Sequence, residues 1–273
     1  AEFPDRFPGL TGEEYLALQY QAALWDLQRM KAAGFDIAVF DMPPIPDYDP
    51  AKPLTARNAP LAQYPTFLRW LDAGEEVGMK IGLFPDVQNH SADFPQGRKL
   101  NVSEWVTALA GALDHLGPAP ALWRIDGRPV IIHFGTDSSC GSPPVPGDPP
   151  PDGGWRKVLQ GLRATGRSFY FIADIRPHIP EKEAWNDIAD AAYCFGPAAP
   201  AAFLPENQIE MMGRFKIPYL WIVSPGYYNP GVNAYSQPDF ARIHDTYMAA
   251  MKADVRYLNV LTWNDLAEDT DIM

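Results

Sequence analysis

Asp265 and Glu268 stand three residues apart in LNVLTWNDLAEDTDIM (residues 258–273), just beyond a run that reads as a buried strand. Residues three apart in a tight turn or a first helical turn lie on one side, so both carboxyls can face one pocket. In unequal surroundings the two can differ in proton affinity. One then gives a proton to a departing oxygen while the other assists attack at the adjoining carbon, the division of labour that hydrolyses a glycosidic bond. The same spacing also suits acids that cap a final helix at its positive end. Trp263 and Asn264 adjoin the pair, and VSPGYYNPGVNAY (residues 223–235) follows the preceding apolar run. Tyr227, Tyr228 and Tyr235 offer flat faces to sugar rings, and Asn229 and Asn233 offer partners for hydroxyls.

Four further polar residues close apolar runs: Asp41, Asp86, His133 and Asp174. Each is a candidate substrate contact. The other reading makes Asp41 and Asp174 helix caps, with Arg176 a partner for one of them, and His133 a core histidine. Asp86, Asn89, His90 and Asp93 fit neither a calcium loop nor a zinc motif, so no metal is expected. Cys140 and Cys194 are the only cysteines, too few for a disulfide framework or a thiolate zinc site. No G-x-G-x-x-G follows a strand, and no G-x-S-x-G elbow is present. A dinucleotide cofactor and an open-sheet esterase are therefore disfavoured, and no cofactor is expected.

The elements that must position these residues repeat one pattern, an amphipathic helix closed by Gly and then a short apolar strand. Thr11-Gly-Glu-Glu14 is a capping box ahead of Leu16, Tyr20, Ala23, Leu24, Leu27 and Met30. A helix from about Pro65 to Val77 comes next. The next helix carries Trp105, Ala108, Leu109, Ala112, Leu113 and Leu116, and the one after it Trp155, Val158, Leu159 and Leu162. Short helices are expected near Trp185 and Ile209, and a last one on Phe240, Ile243, Tyr247 and Met251. The strands read FDIAVFD, MKIGLFPD, RPVIIHFG, SFYFIAD, ADAAYCFG, IPYLWIVSP and VRYLNVLTWND. Continuously apolar strands alternating with helices indicate a parallel sheet covered on both faces. Polar residues at nearly every carboxyl end favour a single α/β domain over residues 1–273, a (β/α)8 TIM barrel whose first strand and last helix are not found in the sequence. A natural seven-stranded sheet is the alternative.

Composition sets the outer bounds. The 273 residues are 47% hydrophobic and 21% charged, enough for a substantial core. A net charge of -12 repels nucleic acid and anionic membrane surfaces. No apolar run reaches the roughly 18 residues that cross a bilayer, and the first residues do not read as a signal peptide. The expected partner is a neutral ligand, with neither nucleic acid nor membrane.

The block T-W-N-D-L-A-E, Thr262 to Glu268, resembles the T-W-N-D-x-x-E signature of glycoside hydrolase family 71, the endo-acting α-1,3-glucanases or mutanases. V-S-P-G-Y-Y-N, Val223 to Asn229, is similar to the V-S-P-W-F-Y-T that precedes it there. Residues 32–41 and 79–86 resemble that family more loosely. Glycoside hydrolase family 99, endo-acting on α-mannosides, carries a comparable N-E-W-H-E, which Asn264, Asp265 and Glu268 echo. The resemblance implies a barrel enzyme in which Asp265 orients the attacking group or water, Glu268 is the general acid and Asp86 binds the sugar beside them. It implies an α-linked polysaccharide or oligosaccharide substrate, and with it a secreted or periplasmic setting. Gly226 stands where the family has Trp, and Leu266-Ala267 where it has an aromatic-Gly pair, so the preferred sugar can differ. A carbohydrate-binding barrel without catalysis is the rival expectation.

Overall fold

In the computed structural model, residues 12–42, 59–85, 102–133, 154–175, 186–194, 205–224 and 240–260 are described. They form two compact units that divide inside one strand, between Phe171 and Ile172.

The first unit opens with α1 (Gly12–Ala32), β1 (Ile37–Met42), α2 (Ala59–Val77) and β2 (Lys80–Pro85). It continues with α3 (Val102–Leu116), β3 (Arg124–Ile125), β4 (Arg128–His133) and α4 (Gly154–Ala164). α2 begins upstream of the expected Pro65, with Pro60 in the first turn, where a missing N–H costs nothing. Gly34 and Gly78 take φ of +94° and +76°. These left-handed residues let Phe35 N–H reach Met30 O at 3.0 Å and Met79 N–H reach Gly74 O at 2.8 Å, closing α1 and α2.

β1 pairs parallel with β2 from Ile37–Lys80 to Met42–Pro85, and β2 pairs parallel with β4 at Leu83–Ile131. Register sorts the side chains. Phe40 packs on Phe67 and Trp70 of α2, with ring centroids 5.6 and 5.1 Å apart. Leu83 and Ile131 share that row and face the helices. The apolar stripe of α3 from Trp105 to Leu116 is buried as the spacing predicts, and so is that of α4 from Trp155 to Leu162. The buried residues of α1 are Tyr15, Ala23, Leu27 and Met30, with Asp26 beside them.

β3 is an addition that the alternating pattern does not predict. It pairs antiparallel with β4 at Arg124–Pro129 and Ile125–Arg128. The two-residue turn between them is Asp126-Gly127, with φ of +51° and +75°. Two positive φ values mark the type I′ hairpin for which Asp-Gly is favoured.

β5 (Tyr170–Asp174) crosses the division between the units. Within the second unit come β6 (Ala191–Tyr193), α5 (Pro205–Arg214), β7 (Trp221–Val223), α6 (Phe240–Lys252) and β8 (Leu258–Val260). β5 pairs parallel with β6 from Ile172–Ala191 to Asp174–Tyr193, and β7 with β8 from Trp221–Leu258 to Val223–Val260. A parallel bridge joins Ala192 to Tyr219. The seven expected strands are thus present as parallel members, and β2, β4, β5, β6 and β7 are almost wholly buried.

Two helices of this unit turn polar or small residues inward while some of their large apolar residues stay outside. On α5, Gln208 and Met211 are buried while Ile209 is exposed. On α6, Thr246 and Ala250 are buried while Tyr247 and Met251 are exposed. Trp221 explains the second case. Its indole is fully buried, donates from Nε1 to Thr246 O at 3.1 Å and packs on Ala250, so small residues must face it.

Gly127 has open space around a Cβ, so its substitution isolates the cost of a left-handed backbone. Gly127→Ala is expected to lower stability by about 1 kcal/mol. Denaturant unfolding should show a lower midpoint at an unchanged m-value.

Candidate functional site

Parallel pairing gathers the carboxyl ends of the strands at one end of the sheet in each unit. In the first unit these ends are Met42, Pro85 and His133. Asp41 lies in β1, its backbone in register with Phe84. Asp86 follows β2 directly but lies outside the described residues. In the second unit the ends are Asp174, Tyr193, Val223 and Val260. Tyr227, Tyr228, Trp263, Asn264, Asp265 and Glu268 also lie outside the described residues, in segments that leave β7 and β8.

His133 and Asp174 end their strands in different surroundings. The imidazole of His133 is fully buried beneath the helices. Its ring lies 3.6 Å from that of Trp155 on α4 and 6.1 Å from that of Trp105 on α3, centroid to centroid, with Phe171 at 6.1 Å. Trp105 and Trp155 in turn lie 4.8 Å apart. His133 shares the helix-facing row with Ile131, which is the setting of a core histidine.

Asp174 is also fully buried, but register puts it on the opposite face. Tyr193 is its partner, and Ala192 is the partner of Tyr219. Tyr219 and Trp221 therefore share the helix-facing side, while Asp174, Tyr193, Leu220, Ile222 and Ser224 share the face turned away from the helices. Two polar side chains on that face, Asp174 and Tyr193, close β5 and β6, and Ser224 follows β7 directly. Ser224 is 2% exposed. Tyr193 and Ser224 are not among the residues singled out from sequence. Their signal was present, since Ala-Ala-Tyr and Val-Ser-Pro both end apolar runs, but only pairing register gives them a common face.

The electrostatics of this region centre on Tyr219. Burial pushes its phenol well above the ordinary value, and the charges of Cys194 and Asp174 push the same way against a weaker opposing contact with the Cys194 backbone. Cys194, the one described cysteine, is buried just past β6. At the far end of the chain, burial raises the Tyr15 phenol to about 12 against hydrogen bonds with Thr66 and Gln19. Among the described residues no group of three or more His, Cys, Asp or Glu is placed to hold a metal ion. No described helix is long and apolar enough to cross a membrane.

No protein-family model and no curated relative matches the sequence. Solved structures do match it in fold. A family 99 endo-α-mannosidase from Bacteroides thetaiotaomicron superposes with a TM-score of 0.64 and 17% identity over 93% of this chain and 69% of its own. An endocellulase from Pyrococcus horikoshii, determined with cellotetraose, gives 0.53 and 10% over 91% and 80%. A family 113 β-1,4-mannanase gives 0.51 and 10% over 93% and 87%. The fold is thus α/β with parallel strands, of the (β/α)8 barrel type on which these proteins are built.

A phenol held protonated by the fold binds its proton more tightly folded than unfolded, so stability must fall as pH rises from about 10 toward the folded value. Thermal melts between pH 9 and 12 are expected to show a steadily falling midpoint. Tyr219→Phe should flatten that fall, and Tyr15→Phe should flatten it up to about pH 12.

Proposed function

We propose that the chain is a glycoside hydrolase acting on an α-linked polysaccharide, with Asp265 and Glu268 as its carboxyl pair and no cofactor. One observation carries the reading. The strand that precedes the pair, β8, runs parallel to β7 and ends at Val260 in the described residues, so the chain leaves it at the carboxyl end, where barrels of this type place their chemistry. Likeness to barrels that hydrolyse mannosides and cellulose supports the same reading. Those barrels include α- and β-directed enzymes, so the linkage comes from residues rather than from fold. Thr262 to Glu268 favours α-1,3-glucan, with Asp265 orienting the attacking group or water and Glu268 protonating the departing oxygen.

Asp86, Trp263, Asn264, Tyr227 and Tyr228 serve the sugar as contacts, together with Asp41 and with Asp174 on the face away from the helices. His133 stays with the core. Charged side chains on a neutral sugar act as hydrogen-bond acceptors for ring hydroxyls, which suits the acidic balance of the chain. A second reading, endo-action on α-mannosides, is favoured by the fold shared with the family 99 enzyme.

Purified protein incubated with α-1,3-glucan, α-1,4-glucan and α-mannan should release reducing ends from the first. Release from α-mannan alone would establish the second reading. Glu268→Gln removes the proton donor while keeping size and shape, and should lower kcat about 10²- to 10⁴-fold. Undiminished hydrolysis in that variant would remove Glu268 from the mechanism.

A further inference from the structure

β7 has one edge paired with β8 and another that runs toward β6. On the second edge, Ala192 donates to Pro218 O at 2.9 Å and accepts from Leu220 N–H at 2.9 Å. The next rung of a parallel ladder would bring the backbone of Cys194 to Ile222. A side chain stands there instead. Ile222 N–H donates to Gln208 Oε1 at 2.7 Å, and Gln208 Nε2 donates to Ile222 O at 2.8 Å. Gln208 is fully buried on α5, so its carboxamide replaces a strand residue by supplying one acceptor and one donor to a single peptide position.

The place of this clamp matters because Ile222 lies two residues before Ser224, on the same face. Ser224 follows the last residue of β7, where strand alternation would continue the face of Asp174 and Tyr193, and Pro225-Gly226-Tyr227-Tyr228 comes next in sequence. We propose that Gln208 is a positioning residue for substrate, fixing Ser224 and the outgoing chain through both backbone groups of Ile222, with Ser224 as a sugar contact. This inference rests on the glycoside hydrolase reading above. Gln208 itself touches backbone, not sugar, so it governs substrate affinity more than the chemical step.

Gln208→Glu tests the role with a built-in rescue. A protonated carboxyl has the same donor and acceptor as the carboxamide, whereas a carboxylate keeps the acceptor and faces Ile222 O with a second lone pair. Steady-state kinetics would be run on the parent chain, Gln208→Glu and Ser224→Ala from pH 5 to 8. The substrate is α-1,3-gluco-oligosaccharide or α-mannan, whichever the parent hydrolyses. The KM of Gln208→Glu relative to the parent should stay near one at pH 5 and rise about tenfold by pH 8, the loss of roughly one hydrogen bond, with kcat held within a few-fold. Ser224→Ala should raise KM at every pH. A relative KM for Gln208→Glu that does not change with pH, even if its melting temperature does, would overturn the positioning role. An unchanged KM in Ser224→Ala would overturn the sugar contact. A parent inactive on both substrates would instead overturn the functional reading itself.

Discussion

Parallel pairing under helices is the constraint on which the rest of this structure depends. A strand covered on both faces has no wet side, so its side chains must be apolar, small or hydrogen-bonded. β2, β4, β5, β6 and β7 meet that demand with Leu83, Ile131, Ile132, Phe171, Ala173, Ala192 and Trp221, all at most 1% exposed. Polar chemistry is then left to the strand ends, where backbone groups run out of partners. The end of a strand is a necessary address but not a sufficient one. His133 and Asp174 both occupy it, yet one is turned into Trp105 and Trp155 and the other onto the face away from the helices. A shift of one residue along a strand exchanges these fates.

The second consequence concerns what helices may present to such a sheet. Close packing at interior density leaves no room for two large side chains in one place. Where β7 directs Trp221 toward α6, that helix answers with Thr246 and Ala250 beside Ile243, and Tyr247, Met248 and Met251 go outside. The hydroxyl of Thr246 also accommodates the packing, because it donates to Arg242 O at 2.7 Å within its own helix and so needs no other partner. α5 answers differently. It spends its inward position on Gln208, since the edge of β7 lacks a rung and an unmet buried peptide would cost about 1–3 kcal/mol per group.

These two effects divide what the sequence makes legible from what it does not. The seven parallel strands are readable because each is a continuous apolar run bounded by Gly or a polar residue. α3 and α4 are readable because Trp, Leu and Val recur at helical spacing and also face the sheet. The helix near Ile209 is present as α5, but Gln208 on it and the outward turn of Tyr247 and Met251 on α6 escape the sequence for one reason: periodicity ranks residues by hydrophobicity, whereas these positions are decided by the shape and hydrogen bonding of β7. Gln208, between Asn207 and Ile209, looks like surface. The β3–β4 hairpin had a readable Asp-Gly signal, hidden within an apparent loop before β4. Of the candidate site, the strand-end placement of Asp41, His133 and Asp174 follows from sequence, but the separation of His133 from Asp174 by face needs pairing register. The residues that follow Ser224 directly, and those after Val260, lie outside the described part, and their roles rest on residue type and order.

Fold and specificity therefore come from different parts of the chain. The buried strands fix where polar groups can stand, and proteins with 10–17% identity share the fold although their names give action on different sugars, mannosides and cellulose among them. What distinguishes them must lie in the few side chains carried past the strand ends and in whatever holds those ends still. A carboxyl pair works only if its members stay within hydrogen-bond reach of the reacting oxygen and of the attacking group, and a displacement of about 1 Å can cost about a hundredfold in rate. Tyr227 follows β7 in sequence and Asp265 and Glu268 follow β8, and these two strands pair with each other from Trp221–Leu258 to Val223–Val260. Anchoring β7 therefore anchors β8 as well, so that a buried amide on α5, remote in sequence from β8, bears on the carboxyl ends of both strands at once.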